Sequence, residues 1–318
     1  MEIFLFIFGV IFAAIFIKVI VTGSKRDPFI KDEPFPEHLG IQSDDYLPMI
    51  RNLEKSLPEG YRENIKNRVL REHPKWKDYA YDWTFFELKR YFVMNAILKT
   101  VPMFSSKADD IWHEMLMFTR DYEHFSKNFF GEYLHHSPNM DSTPIPGERA
   151  FFDWMYLSLF EAGHNSRRIW GSFLQNPIKK EILDDFRSMN ETELLNKYFR
   201  AGNDWLELKK KMIEKLKHEI SESESMKLGK KALEFTKPAS VSQYSYLLFP
   251  AVYFSVYEPD GFEDNMNELL PPELAKDSAS GMVYCSGFSC SSHSDHDSGG
   301  GHDSGGSSCS SCGGGCSS

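Results

Sequence analysis

The chain has 318 residues, a formal charge of -10 and an aromatic fraction of 14%. That is apolar and aromatic material enough for one large packed domain or two small ones. Lysines are interspersed with the acidic residues and form no basic face, which excludes a nucleic-acid-binding surface.

From Ile3 to Val21 nearly every residue is Ile, Phe, Val, Leu or Ala, with Lys18 as the one charge. At a rise of about 1.5 Å per residue such a run nearly crosses a hydrocarbon core of about 30 Å, and Lys18 lies near its end, where a long stem snorkels to the headgroups. Residues 1–22 are therefore predicted to form a single transmembrane helix, with the bilayer as partner. A cleaved signal peptide fits less well, because only Met1 and Glu2 precede the apolar stretch. Lys18, Lys25, Arg26 and Lys31 follow the span and none precedes it, which places the main domain in the cytoplasm.

Pro28, Pro34, Pro36 and Pro48 mark residues 23–43 as an extended juxtamembrane linker, and the folded domain is expected over 44–276. Its fold class is all-α, an irregular helical bundle. Helix-like patterns cover Tyr46 to Leu57, Tyr61 to Glu72, Trp83 to Lys99, Lys107 to Phe130 and Glu148 to Phe160, with shorter ones to about Phe235. In the Lys107 to Phe130 stretch, Ser106 and Asp109 read as a capping box. Ile111, Met115, Phe118, Tyr122, Phe125 and Phe129 form one apolar stripe there, and Gly131 stops the helix. Asn203 to Ser225 reads as a charged helix with a thin apolar seam of Leu206, Met212, Ile213, Leu216 and Ile220, mostly a solvated face. Tyr244 to Tyr257 is apolar, interrupted by Pro250, and reads as buried packing.

Ser and Gly dominate residues 277–318, which leaves too little apolar surface to offset the entropy of ordering, so a disordered tail is expected. All five cysteines lie there, and no disulfide staples the domain. Cys285, Cys290, His293, His296, His302, Cys309, Cys312 and Cys316 give the tail eight metal or thiol candidates, with Cys309-x-x-Cys312 at zinc half-site spacing.

Within the domain the densest polar constellation is Asp109-Asp110-Ile111-Trp112-His113-Glu114, followed by Tyr122 and then His135-His136-Ser137-Pro138. Asp109 and Asp110 lie four and three residues before His113, so either carboxylate can orient that imidazole or share a metal with it. His135 and His136 supply further nitrogens for a zinc or iron site made of Asp109, His113, His135 and His136. The structural alternative is a partly buried His113 hydrogen-bonded to Asp109, locking the helix against its neighbours. A His-Glu-x-x-His zinc motif fails because Met117 stands at its last position. The Glu132/His135 and Glu161/His164 pairs have di-iron spacing, but Gly131 and Pro138 bracket the first and Gly163 interrupts the second.

Ala108-Asp109-Asp110-Ile111-Trp112-His113, with Tyr122, Phe125, Phe130-Gly131 and His135-His136-Ser137-Pro138, resembles the glycine-rich domain-containing protein-like family, in the style of a bacterial, membrane-anchored member. The resemblance runs over roughly residues 83–170, plus the tail with Cys309, Cys312 and Cys316. It implies a shared helical domain and marks Asp109, Trp112, His113, Tyr122, His135 and His136 as candidate functional residues. Ser126 departs from the cysteine that relatives often carry after the aromatic. Two functional readings follow: a membrane-anchored interaction or scaffold module with a protein partner, or a metal-dependent enzyme or metal-handling protein built on the Asp109/His113 cluster.

Overall fold

One helix, Asp78–Ile97, is apolar on every side, and nearly all its residues from Tyr81 onward are buried. A helix of that kind belongs at the centre of a domain. In the computed structural model, which describes residues 30–136, 146–202, 204–228 and 244–269, the others are arranged around it. In chain order they are α1 (Leu47–Ser56), α2 (Glu59–Glu72), the central α3 (Asp78–Ile97), α4 (Ser106–Leu116), α5 (Thr119–Phe130), α6 (Pro146–Leu159), α7 (His164–Trp170), α8 (Lys180–Ser188), α9 (Glu191–Tyr198), α10 (Leu206–Leu228), α11 (Leu248–Tyr257) and α12 (Phe262–Leu269). No strand occurs among the described residues, and the only β-type pairings are isolated bridges at Ile41–Phe160 and Leu98–Phe199. The fold is all-α. Helices α1, α2, α4 and α7 pack on α3, while α8, α9 and α11 pack on α10.

The centre of α3 carries two charges in full burial, Glu87 and Arg90. Arg90 Nη1 donates to Glu87 Oε1 (3.2 Å), Tyr156 Oη (2.7 Å) and Ser166 Oγ (3.2 Å). Glu87 in turn accepts from Tyr156 (2.5 Å), Ser166 (2.8 Å) and the Trp170 indole (2.8 Å). Meeting the remaining donors and acceptors in this way offsets the cost of burying the pair, and only Arg90 Nη2 of its polar atoms is left without a partner. The network ties α3 to α6 and α7. Arg90 Nε also donates to the Leu39 carbonyl (2.8 Å), which extends it to the chain before α1.

That contact corrects one expectation. Residues 30–43 are no free tether but a strap laid on the domain: Ile30 and Leu39 are buried, and the Asn165 amide pairs with both backbone groups of Lys31 (2.7 and 2.9 Å). Trp83 donates to the Glu33 carbonyl, and Glu161 N–H donates to the Gly40 carbonyl at 2.7 Å. Proline makes the strap extended, but the domain satisfies its backbone, so the packed region reaches back at least to Ile30 rather than starting at Asp44. Gly40 is required where it stands: its φ is +60°, and a β-carbon would meet Arg90 Nη2 at 2.7 Å.

The expected helix from Lys107 to Phe130 is two helices. Phe118 leaves the helical region (φ -94°, ψ 64°), and the Met115 carbonyl, which an unbroken helix would pair with the N–H four residues on, accepts from the Tyr61 hydroxyl at 2.9 Å. The apolar stripe survives the break, because Ile111, Met115, Tyr122, Phe125 and Phe129 are all buried. The start also moves by one residue: Ser105, not Ser106, caps α4 by accepting from Ala108 N–H, and no capping box with Asp109 forms. Gly131 ends α5 in the left-handed conformation, as expected (φ +76°).

Helix α10 is less solvated than its charge suggested. Its seam residues Met212, Ile213, Leu216 and Ile220 are covered by the chain itself, and three lysines reach backbone carbonyls: Lys209 to Arg200, Lys215 to Ser158 and Lys217 to Met189. Pro250 sits inside the first turn of α11, where no intrahelical N–H bond is needed, so it does not interrupt that helix. Among the described residues no helix is long and apolar enough to cross a membrane. The predicted span at residues 1–22 and the tail at 277–318 lie outside the described residues.

Two outcomes follow. Arg90→Met leaves Glu87 buried without its cation and should lower unfolding free energy by about 3–5 kcal/mol in urea titrations. Glu219, buried against the Trp154 indole (2.6 Å), has its carboxyl pushed above the usual glutamate range, first by burial, with Trp154 and Lys215 opposing. As pH rises through the ordinary glutamate range the unfolded chain ionises before the folded one, so stability is lost there. Glu219→Gln should therefore gain stability relative to the parent as pH is raised from about 4, measured as the difference in Tm.

Candidate functional site

Helix α4 presents a polar edge in which Asp109 and His113, one turn apart, are neighbours. His113 Nδ1 lies 3.0 Å from the Asp109 backbone oxygen and 3.4 Å from its carboxylate Oδ2. The third member arrives from beyond α5: His136 Nε2 is 2.8 Å from Asp109 Oδ1. The two imidazole rings stand 4.5 Å apart, centre to centre. Together the three residues offer ligand atoms that all lie within 4.8 Å of one another. Donors about 2.1 Å from a shared ion stand roughly 3.4 Å apart in tetrahedral geometry, so small side-chain rotations would bring the set onto one ion. The His113 side chain is 53% exposed, Asp109 31% and His136 10%, so the cluster opens to solvent on the His113 side.

The segment 131–136 that delivers His136 is held by the neighbouring helix. Trp112 Nε1–H donates to Tyr122 Oη (3.0 Å), and that hydroxyl donates to the Leu134 carbonyl (2.7 Å). Ser126 Oγ donates to the Glu132 carbonyl (3.0 Å) and accepts from Leu134 N–H. Trp112 presses edge to face on the His136 ring at 4.5 Å, and Glu132 is paired with Arg200. Ser126 therefore does structural work: its small hydroxyl makes two backbone bonds in a buried position, a task for which a thiol is a weaker donor and acceptor.

The sequence-derived set is thus partly assembled. Asp109, His113 and His136 converge, and Trp112 and Tyr122 are buried supports beneath them. His135 is excluded: it is exposed and turned against the Tyr133 ring (4.9 Å), because adjacent residues of an extended segment point opposite ways. The His113–Asp109 contact expected on structural grounds exists, with the ring half exposed and set against His136. Neither Glu-x-x-His pair lies within a helix. Glu132 and His135 follow the end of α5, and Gly163 separates Glu161 from α7. The tail cysteines and histidines lie outside the described residues.

One neighbour carried no signal in the sequence. His73 closes α2 with its ring beside Trp76, and its Nε2 is 3.9 Å from Asp110 Oδ2. The Asp110 carboxyl is held above the usual aspartate range by burial, a rise that Asp109 adds to and His73 opposes. Only the packing of α2 on α4 brings residues 73 and 110 together.

Fold and site together define an all-helical protein with an open imidazole–carboxylate cluster on its surface. Residues 48–143 match the model of a family described as UCP032817-like, a stretch that runs from α1 past His136 and contains every residue of the cluster. No match was found among curated proteins or among solved structures.

Tyr122→Phe removes the donor to Leu134 and the acceptor for Trp112. It should cost about 1–3 kcal/mol of stability in chemical denaturation and speed amide exchange at residues 132–136.

Proposed function

We propose that this chain is a membrane-tethered metal-handling protein whose helical domain holds a divalent transition-metal ion, zinc or iron, on Asp109, His113 and His136. One observation carries the reading: two imidazoles and a carboxylate from separate segments converge on one solvent-facing point. Two histidines with one carboxylate and open positions is the donor set of exchangeable and catalytic sites, whereas structural zinc sites are closed by four protein ligands. The Asp109 backbone oxygen can accept a hydrogen bond from His113 Nδ1–H, which leaves Nε2 as the metal donor, the outer-sphere arrangement usual for metal-bound histidine. Trp112, Tyr122 and Ser126 hold the His136 segment ready, so little ordering is required when the ion arrives.

The apolar run 3–21 supplies the tether, and the basic residues after it favour a cytoplasmic domain. The resemblance of roughly residues 83–170 to the glycine-rich domain-containing protein-like family, resting on Asp109, Trp112, His113 and Tyr122 among others, belongs to this reading. Of the two readings that the sequence leaves open, metal handling has the convergent ligands behind it. The open positions on the His113 side are where a substrate or water would sit.

The test is metal content. The full chain, with its cysteines alkylated to silence the tail thiols, is equilibrated with Zn2+ or Fe2+ and freed of loose metal. His113→Ala and His136→Ala should each lower bound metal by at least one equivalent, whereas His135→Ala leaves it unchanged. Equal metal in the parent and in the His113 and His136 variants sinks the reading.

A further inference from the structure

The polar edge of α4 continues beyond the three proposed ligands. Residues three and four apart on a helix are neighbours, so His113 lies between Asp109 and Asp110, and Asp110 faces His73 of α2. Across the surface, imidazole and carboxylate alternate: His136, Asp109, His113, Asp110, His73. The last separation, 3.9 Å between His73 Nε2 and Asp110 Oδ2, is too long for a hydrogen bond. It does suit two donors each about 2.1 Å from one ion, which stand from about 3 Å apart at right angles to about 4.2 Å when opposed. The next carboxylate along, Glu114, is already taken by Arg68. No lysine or arginine pairs with Asp110 among the described residues, and His73 is the neighbour at ion-pair distance.

We propose that this row holds two divalent cations, the second on Asp110 and His73 beside the first on Asp109, His113 and His136. The proposal rests on the metal reading of the first site. The second ion has two protein donors, both reached by solvent, and it joins a patch whose two carboxylates the first ion has already neutralised. It therefore binds more weakly, and its other positions fall to water or to an oxyanion. Two neighbouring cations clamp the oxygens of a phosphoryl group and generate a nucleophile from bound water, so a phosphate-bearing compound is the class of ligand that fits.

The experiment titrates the full, cysteine-alkylated chain with Zn2+ alone, with helix content of each variant checked by circular dichroism. The parent should bind one more ion than the His113→Ala/His136→Ala double variant, which keeps Asp110 and His73. Asp110→Asn, which keeps the side chain's shape, and His73→Ala should each bind one ion fewer than the parent and keep the tight first step within about threefold. Histidines of the tail contribute equally to every variant and drop out of the differences. If Asp110→Asn and His73→Ala hold as much zinc as the parent, the second ion is disproved, and the double variant's loss of one ion leaves the first site standing. If no variant loses metal, both readings fall. Loss of both ions in Asp110→Asn with helix content intact also overturns the proposal, because the two positions would not be separable.

Discussion

The domain is organised around an ion pair that water never reaches. Glu87 and Arg90 sit in the middle of an otherwise apolar helix, and their hydrogen bonds recruit Tyr156, Ser166, Trp170 and the Leu39 carbonyl. Burying two charges is costly and is offset by partners for their lone pairs and protons, which this pair finds everywhere but at the buried Arg90 Nη2. The partners here come from α6, α7 and the strap, so these elements can take only one position relative to α3. Apolar packing would hold them together; the polar network decides how. Asp153 repeats the device at smaller scale, fully buried, paired with Arg149 at 2.7 Å and accepting from Leu174 N–H at 2.7 Å, which fixes the turn where Leu174 adopts a positive φ.

The helical layout around these buried pairs was legible in the sequence, while the pairs themselves were not. Helix periodicity marked the elements because a buried face repeats every three to four residues whatever lies opposite, and α1, α2, α3 and α6 fall within a few residues of their expected ends except at the start of α3. That helix begins five residues early, since Asp78 to Asp82 show no distinctive pattern. The break at Phe118 was hidden for a different reason. The Met115 carbonyl freed there is met by a hydroxyl 54 residues earlier, Tyr61, and no local pattern registers a distant donor. The strap was misjudged similarly: proline spacing reports that the chain is extended, not what it lies upon.

The site divides along the same line. Asp109 and His113 were readable because helical spacing alone makes them neighbours. His136 could be named but not separated from His135, since which of two adjacent residues faces inward depends on how Tyr122 and Ser126 grip Leu134. His73 was invisible, lying 37 residues before Asp110 on another helix.

The break after α4 has a consequence for the order of events in folding. In a straight helix Trp112 and Tyr122 would stand about 15 Å apart along the axis; in the folded chain their polar atoms are 3.0 Å apart. The chain turns back at Phe118, where Tyr61 meets the Met115 carbonyl, and Asp109 meets His136 across only 27 residues. Closing so short a loop is entropically cheap, and contacts of low sequence separation form early. The three residues of the cluster thus lie within one helical hairpin, close in sequence as well as in space.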